Sequence, residues 1–193
     1  MASSKPTTPL KSGPDALVAL CGRLGHHFEQ PSLLQQALTH RSFSATHYER
    51  LEFLGDSVLN LAVSALLYEQ LRDLPEGDLS RVRANLVRQD TLAGLAADLQ
   101  VGPCLRLGEG EQRSGGRDRP SILADVVEAL IGAVYLDAGF VKAETVVRQL
   151  LKAIPLGEGK AAMRKDAKTA LQEWLQGRKM ALPQYTVERT LGE

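Results

Sequence analysis

Aromatic side chains make up only 5% of this 193-residue chain, so Leu, Ala and Val have to build most of the hydrophobic core. The chain has two cysteines, Cys21 and Cys104, without the spacing of a metal site. They are expected to be reduced and buried, which excludes a disulfide scaffold. A hydrophobic content of 44% still suffices for a domain of ordinary size.

An excess of charge is also missing, because 23 basic side chains balance 23 acidic ones. Composition alone therefore does not indicate a nucleic-acid-binding protein. No stretch approaches the roughly 20 apolar residues that span a bilayer. Residues 1–13 are polar and lack the apolar core of a signal peptide. These absences predict a cytoplasmic protein with no membrane partner and a disordered segment at residues 1–13.

Helical periodicity dominates from residue 14 to 154, and no strand pattern precedes residue 180. Asp90 and Ser121 are expected to be N-caps, and Gly139 is expected to end a helix. Residues 106–119 hold four Gly and four Arg, which predicts a mobile, cation-bearing loop. The predicted helices span residues 14–24, 32–38, 49–70, 76–87, 91–99, 121–138, 141–154 and 166–176.

Acidic residues interrupt two helices that otherwise have the composition of buried helices. Glu49, Glu52 and Asp56 fall at i, i+3 and i+7 and therefore share one face. Asp125 and Glu128 are again one turn apart in the later helix. Unpaired buried carboxylates are costly, and like charges close together raise the cost. A bound divalent cation is the simplest explanation.

Oxygen ligands without histidine favour Mg²⁺ or Mn²⁺ over zinc or iron. Two such ions about 4 Å apart would stabilise the attacking and the leaving oxygen of an in-line phosphoryl displacement. Hydrolysis of a phosphodiester is therefore the predicted reaction. Glu76, at the start of its helix, is either a further acid of the site or only a complement to the helix dipole.

Several residues near the acids allow simpler structural explanations. Gly55 and Gly132 lie inside helices, where glycine costs about 1 kcal/mol, and a close approach of the two helices would justify them. Phe53 is predicted, from its neighbours alone, to be a core residue. His40 and His47 are predicted to be structural or capping groups.

Residues 49–57, ERLEFLGDS, resemble the signature of ribonuclease III, the endonuclease of double-stranded RNA. Residues 38–42, 76–81 and 121–132 resemble further motifs of that family in family order. The resemblance covers about residues 15–155. It implies an all-α catalytic domain at residues 14–154 that forms a homodimer, encloses an RNA duplex and cuts one strand at each active site.

The resemblance also implies roles for individual acids. Glu52, Asp125 and Glu128 match Mg²⁺ ligands, with Mn²⁺ as a possible substitute for Mg²⁺. Asp56 and Glu128 match catalytic residues, and Asp56 matches the one that helps to orient the attacking water. Family products carry a 5′-phosphate and a 3′-hydroxyl with short 3′ overhangs, and the family processes ribosomal RNA precursors.

Three further residues receive more specific roles from the resemblance. Glu49 and Glu76 match additional acids that line the valley near the scissile bonds. Phe53 matches a residue that inserts into the partner subunit, which conflicts with its interpretation as a core residue.

Residues 155–163 are predicted to be a linker, and residues 164–193 resemble the start of an α+β double-stranded-RNA-binding domain. The expected elements are one helix and a strand at residues 184–189. Because the second helix and its lysines are missing, this truncated domain is expected to bind duplex weakly. The positions that match contacts to 2′-hydroxyls across a minor groove are Thr169, Gln172 and Glu173.

Two other functions are weighed against the nuclease. A non-catalytic, duplex-RNA-binding scaffold of the same fold would be expected to lose the acids, and the acids are present. A helical metalloprotein acting on small phosphate esters would not need the arginines of residues 106–119 or the RNA-binding helix. Cleavage of a perfect duplex with and without Mg²⁺ separates the enzyme from the scaffold.

Overall fold

Helices form nearly all the regular structure in the computed structural model, which describes residues 14–154 and 167–183. Within these ranges the only β pairing is an isolated bridge between Thr39 and Arg106, so the all-α prediction for the catalytic domain is confirmed. In chain order, the helices are α1 (Pro14–Leu24), α2 (Pro31–Ala37), α3 (Glu49–Gln70), α4 (Glu76–Leu86), α5 (Gln89–Asp98), α6 (Glu109–Arg113), α7 (Pro120–Leu151) and α8 (Ala167–Gly177).

The chain divides into two compact units, residues 1–156 and 157–193. In the first unit, α3 and α7 pack against each other, and each contributes buried residues along its length to the core. Helices α2 and α5 pack on α7, and α4 packs on α3. Cys21 and Cys104 are free and buried, as the sequence predicts.

The length and composition of α3 do not agree with the expectation that no segment could span a membrane. By length and composition alone this 22-residue helix passes that test, because an 18-residue window inside it has a mean hydropathy of 1.3. The same test is passed by the central helix of a hydrophobic core, and the buried residues of α3 belong to the core cluster of the first unit. The apolar character of α3 is therefore accounted for by its packing against α7.

Two predicted N-caps are wrong. Helix α5 begins before Asp90, which lies in the first turn, and the N-cap is Arg88. There the carboxylate still complements the positive end of the helix dipole. Helix α7 begins at Pro120, so Ser121 lies inside it. Proline suits a first helical position because its φ is already helical and its missing N–H would have no partner there.

The segment 106–119 is more regular than predicted, because it contains α6 and a 3₁₀ turn at Gly116–Asp118. The predicted break at Gly139 is present, with φ 77° and ψ 177° inside α7. Just before this break, the carboxylate of Asp137 accepts hydrogen bonds from the backbone N–H groups of Glu29 and Gln30 at 3.0 and 2.9 Å. These bonds tie the end of the first half of α7 to the start of α2.

Helix α8 coincides closely with the helix predicted at residues 166–176. Gln172 is half-buried in it, whereas the side chains of Thr169 and Glu173 lie outside the described part of the chain. The predicted disordered residues 1–13, the linker 155–163 and the strand 184–189 also lie outside it. The domain boundaries and the RNA contacts of α8 therefore stay predictions.

Candidate active site

Two glycines bring the backbones of α3 and α7 into contact. A Cβ atom on Gly55 would overlap the carbonyl oxygen of Glu128 and would lie 2.6 Å from its carbonyl carbon. A Cβ atom on Gly132 would overlap the carbonyl oxygen of Leu51 in the same way. This contact confirms the expected reason for both glycines. It also places the acids next to Gly55 close to Glu128.

The acids of α3 and α7 are electrostatic neighbours. Burial raises the pKa of Glu128 to about 7, and the charges of Asp56, Glu52 and Asp125 add to the shift. Burial also raises the pKa of Glu52, with further contributions from Asp125, Glu49 and Asp56. Acids that are more than 60 positions apart in the chain therefore lie close enough to interact electrostatically.

Tyr48 belongs to this site although sequence analysis did not identify it. Its side chain is 3% exposed, and its hydroxyl donates a 3.4 Å hydrogen bond to Oδ2 of Asp125. Burial raises the pKa of Tyr48, and Asp125 raises it further, so the hydroxyl keeps its proton. Burial likewise raises the pKa of Asp125, although the hydrogen bond from Tyr48 acts in the opposite direction and lowers it. The only sequence signal for Tyr48 was its place directly before the acidic helix.

Asp56 is exposed, and Asn60 orients its carboxylate. The side-chain amide of Asn60 donates to Oδ1 of Asp56 at 2.8 Å and to the Asp56 carbonyl oxygen at 3.0 Å. The two residues are one turn apart on α3, so this pairing is readable from the sequence. Polar pairs at this spacing are common on helix surfaces, so the spacing alone does not indicate a functional role.

A cleft of about 490 Å³ opens beside the acids. Glu49, Glu52 and Asp125 line it, and so do two arginines that are held by carboxylates. Arg41 lies 3.4 Å from Glu49, and the partner of Arg119 is Glu111 at 2.6 Å. The cleft thus contains both negative charge, suited to a cation, and positive charge, suited to an anion.

The chemistry of the acids fits a hard divalent cation. Glu52, Asp56, Asp125 and Glu128 supply only oxygen donors, and three of the four have raised pKa values that a positive charge would lower. Within residues 14–154 and 167–183, no three His, Cys, Asp or Glu side chains converge closely enough to surround one ion. Binding would therefore require rotation of carboxylates that already lie close to one another.

Two other predicted residues lie apart from the acids. Phe53 is 79% exposed, so its interpretation as a core residue is wrong, because it lies on the side of α3 that faces away from α7. Glu76 is exposed in the first turn of α4, where it accepts a 2.7 Å hydrogen bond from Ser80. It does not line the cleft. Its role in the site stays a prediction.

Comparisons with known proteins identify the family of this chain. The Ribonuclease-III-like family matches residues 30–154. Ribonuclease 3 of Variovorax paradoxus is 68% identical over 176 residues, which are 91% of this chain and 77% of that protein. Ribonuclease 3 of Delftia acidovorans is 64% identical over 179 residues, which are 93% and 79% of the two chains.

A solved structure is similar as well. The nuclease domain of ribonuclease III from Campylobacter jejuni, described for flexibility in a region involved in dimer formation, is 42% identical with a TM-score of 0.68. The match covers 71% of this chain and 97% of that domain. The fold and the paired acids thus define a helical nuclease domain. The chain belongs to the ribonuclease III family and is an endoribonuclease of that type.

Proposed function

We propose that this protein is a Mg²⁺-dependent endonuclease of double-stranded RNA that acts in the cytoplasm on ribosomal RNA precursors and other transcripts. The proposed products carry a 5′-phosphate and a 3′-hydroxyl. The observation that carries the proposal is the meeting of carboxylates from α3 and α7 at the Gly55–Gly132 contact. Among the described residues, Glu52, Asp125 and Glu128 are partly buried and form no ion pair with a basic side chain, unlike most stable buried charges.

Glu52, Asp125 and Glu128 are proposed to hold the ion, with Mn²⁺ as a possible substitute for Mg²⁺. When bound, the ion would supply positive charge for phosphate oxygens and for the negative charge that develops during hydrolysis. Tyr48 orients Asp125 through its hydroxyl. Asp56, oriented by Asn60 and open to solvent, is proposed to position the attacking water.

Cleavage of a perfect RNA duplex, measured across a Mg²⁺ titration, tests this function. The duplex should be cut only when Mg²⁺ or Mn²⁺ is present, and a DNA duplex and the separated RNA strands should resist. End analysis should show 5′-phosphates. Duplex binding without cleavage at any Mg²⁺ concentration would favour the scaffold instead. Hydrolysis of small phosphate esters that duplex RNA does not inhibit would favour the third candidate.

A homodimer is proposed from the exposed side of α3. Phe53, Leu61 and Tyr68 are 79%, 57% and 78% exposed. At about 100° per residue they fall within roughly 80° of one another around the helix axis. Exposed apolar residues aligned in this way indicate a protein interaction surface. Glu52 and Asp56 lie on the adjoining sector of the helix, so a second copy on this surface would place two acidic sites along one valley.

Phe53→Ala is expected to weaken the homodimer by about 30-fold or more, because a large aromatic side chain at the centre of an interface typically contributes about 2 kcal/mol. Sedimentation equilibrium measures this change. Val141→Ala is the matched control, since Val141 is 77% exposed but lies on α7 outside the α3 surface. An unchanged dimer in Phe53→Ala, or a wild-type chain that stays monomeric, would contradict the proposed interface.

A further inference from the structure

The hydrogen bonds of His40 define its tautomer. The backbone N–H of Ser42 donates to Nδ1 of His40 at 3.1 Å, so Nδ1 must present a lone pair. With Nδ1 unprotonated, the hydroxyl of Ser42, 2.7 Å away, is a second donor that shares this one lone pair with the backbone N–H. The same hydroxyl oxygen accepts the N–H of Gly108 at 3.0 Å. This network favours a neutral imidazole with its proton on Nε2.

The backbone that carries the ring is also fixed in position. The backbone N–H of His40 donates to the carbonyl oxygen of Arg106 at 3.0 Å, and the backbone N–H of Arg106 donates to the carbonyl oxygen of Leu38 at 2.9 Å. A Cβ atom on Gly108 would overlap the carbonyl oxygen of Ser42, so glycine permits the close approach of these two segments. The orientation of His40 is thus set by the protein before any substrate binds.

His40 lines the cleft that Glu49, Glu52 and Asp125 also line. The other polar residues of this cleft include Arg41, Arg119 and Ser121. Because Nδ1 is occupied by Ser42, the N–H on Nε2 is the ring donor that remains for a ligand in the cleft. Arg41 pairs with Glu49, and Arg119 pairs with Glu111, so each arginine of the cleft lies beside a carboxylate. The part of the cleft lined by His40, Arg41 and Arg119, here called its second end, therefore carries N–H donors and positive charge next to acidic groups.

We propose that this second end is a phosphate subsite, in which the Nε2–H of His40 donates to a backbone phosphate oxygen next to the scissile bond of the RNA. His40 would then be a substrate-binding residue rather than the structural or capping group that the sequence predicts. A phosphate oxygen is an acceptor only, which suits a fixed N–H donor flanked by guanidinium groups. The subsite rests on the proposed function, because it holds the same RNA that the acids cleave.

Two substitutions at His40 separate substrate binding from structure. In His40→Asn, the amide oxygen can replace Nδ1 as the acceptor for Ser42, but nothing replaces the donor at Nε2. In His40→Gln, the amide nitrogen reaches the position of Nε2, but the acceptor for Ser42 is lost. His27→Asn is the control, because His27 is exposed and does not line the cleft.

Duplex RNA binding should be measured in a Glu128→Gln background with Mg²⁺ present, together with the melting temperature of each chain. His40→Asn is expected to weaken binding about 10-fold or more and to melt close to the parent. His40→Gln should bind within about 3-fold of the parent and melt at a lower temperature. If His40→Asn bound duplex RNA more tightly than His40→Gln, the proposed subsite would be wrong and His40 would have a structural role.

The salt dependence of binding tests the neutral tautomer. A neutral donor releases no counterion when it binds a phosphate. Removing it in His40→Asn should therefore leave the slope of log K against log salt unchanged. Arg119→Gln, by contrast, should lower that slope by about one. If this slope decreased by about one in His40→Asn, the imidazole would be charged when it binds RNA, and the proposal would be wrong. Failure of the wild-type chain to cut any duplex would instead contradict the proposed function, and binding would still report on the subsite.

Discussion

Glu128→Gln is expected to lower the rate of duplex RNA cleavage by at least about 10²-fold to 10³-fold. The substitution keeps the size of the side chain but removes the charge that would hold the ion and act on the scissile phosphate. Duplex binding should persist, because the remaining surface is unchanged. Single-turnover cleavage and a binding titration measure the two effects separately.

The same substitution is expected to stabilise the protein when divalent cations are absent. The pKa of Glu128 is raised from 4.5 to about 7 in the folded chain, so between these values the folded state holds more protons than the unfolded state. Stability of the wild-type chain therefore falls as the pH rises from about 4.5 to about 7. Glutamine removes this loss, which is on the order of 1 kcal/mol because the carboxyl is only partly buried.

Thermal unfolding at pH 5 and pH 8 in a chelating buffer checks this expectation. The melting temperature of Glu128→Gln should exceed that of the wild type at pH 8, and the difference should shrink at pH 5. Glu144→Gln is the control on the same helix, since Glu144 pairs with Arg148 and lies outside the acid cluster. Full cleavage by Glu128→Gln, or a lower melting temperature at pH 8, would contradict the assignment.

Gly132→Ala should separate α3 from α7 and so damage stability and activity together. The added Cβ would overlap the backbone of Leu51, and backbone atoms cannot move without shifting the whole helix. A cost of about 3 kcal/mol or more is expected, or roughly 10 °C in melting temperature. Because the acids would move apart, cleavage should fall by about 10²-fold.

Gly94→Ala provides the matched control for Gly132→Ala. Gly94 also lies inside a helix, but a Cβ atom there would meet nothing within 4 Å. Alanine should therefore stabilise α5 by about 0.5–1 kcal/mol. If the two variants shifted the melting temperature in the same direction, the helix contact would not be the reason for glycine at position 132.

The acids, the ion and the helix contact depend on one another. Gly55 and Gly132 bring the carboxylates of both helices close together, and burial, with a further contribution from their mutual repulsion, raises the pKa values of Glu52 and Glu128. Mg²⁺ binding would remove that repulsion and should therefore raise the melting temperature of the wild-type chain. The instability of the metal-free site is the expected cost of a site that is arranged for a dication.

The sequence by itself determined the helical character of residues 14–154, the two acidic helices and the need for glycine at positions 55 and 132. These are local signals, since periodicity and spacing within one helix define a face and reveal an unusual residue on it. The family motifs, which are local too, pointed to ribonuclease III, and the comparisons confirmed this membership.

Tertiary structure alone decided the remaining features of the site. Tyr48 and His40 gained their roles from contacts with Asp125 and with the segment around Gly108, which are distant in the chain. Phe53 proved to be exposed because exposure depends on which side of α3 faces α7. A sequence specifies the side chains of each element, whereas the environment of a side chain is set only when elements far apart in the chain pack together.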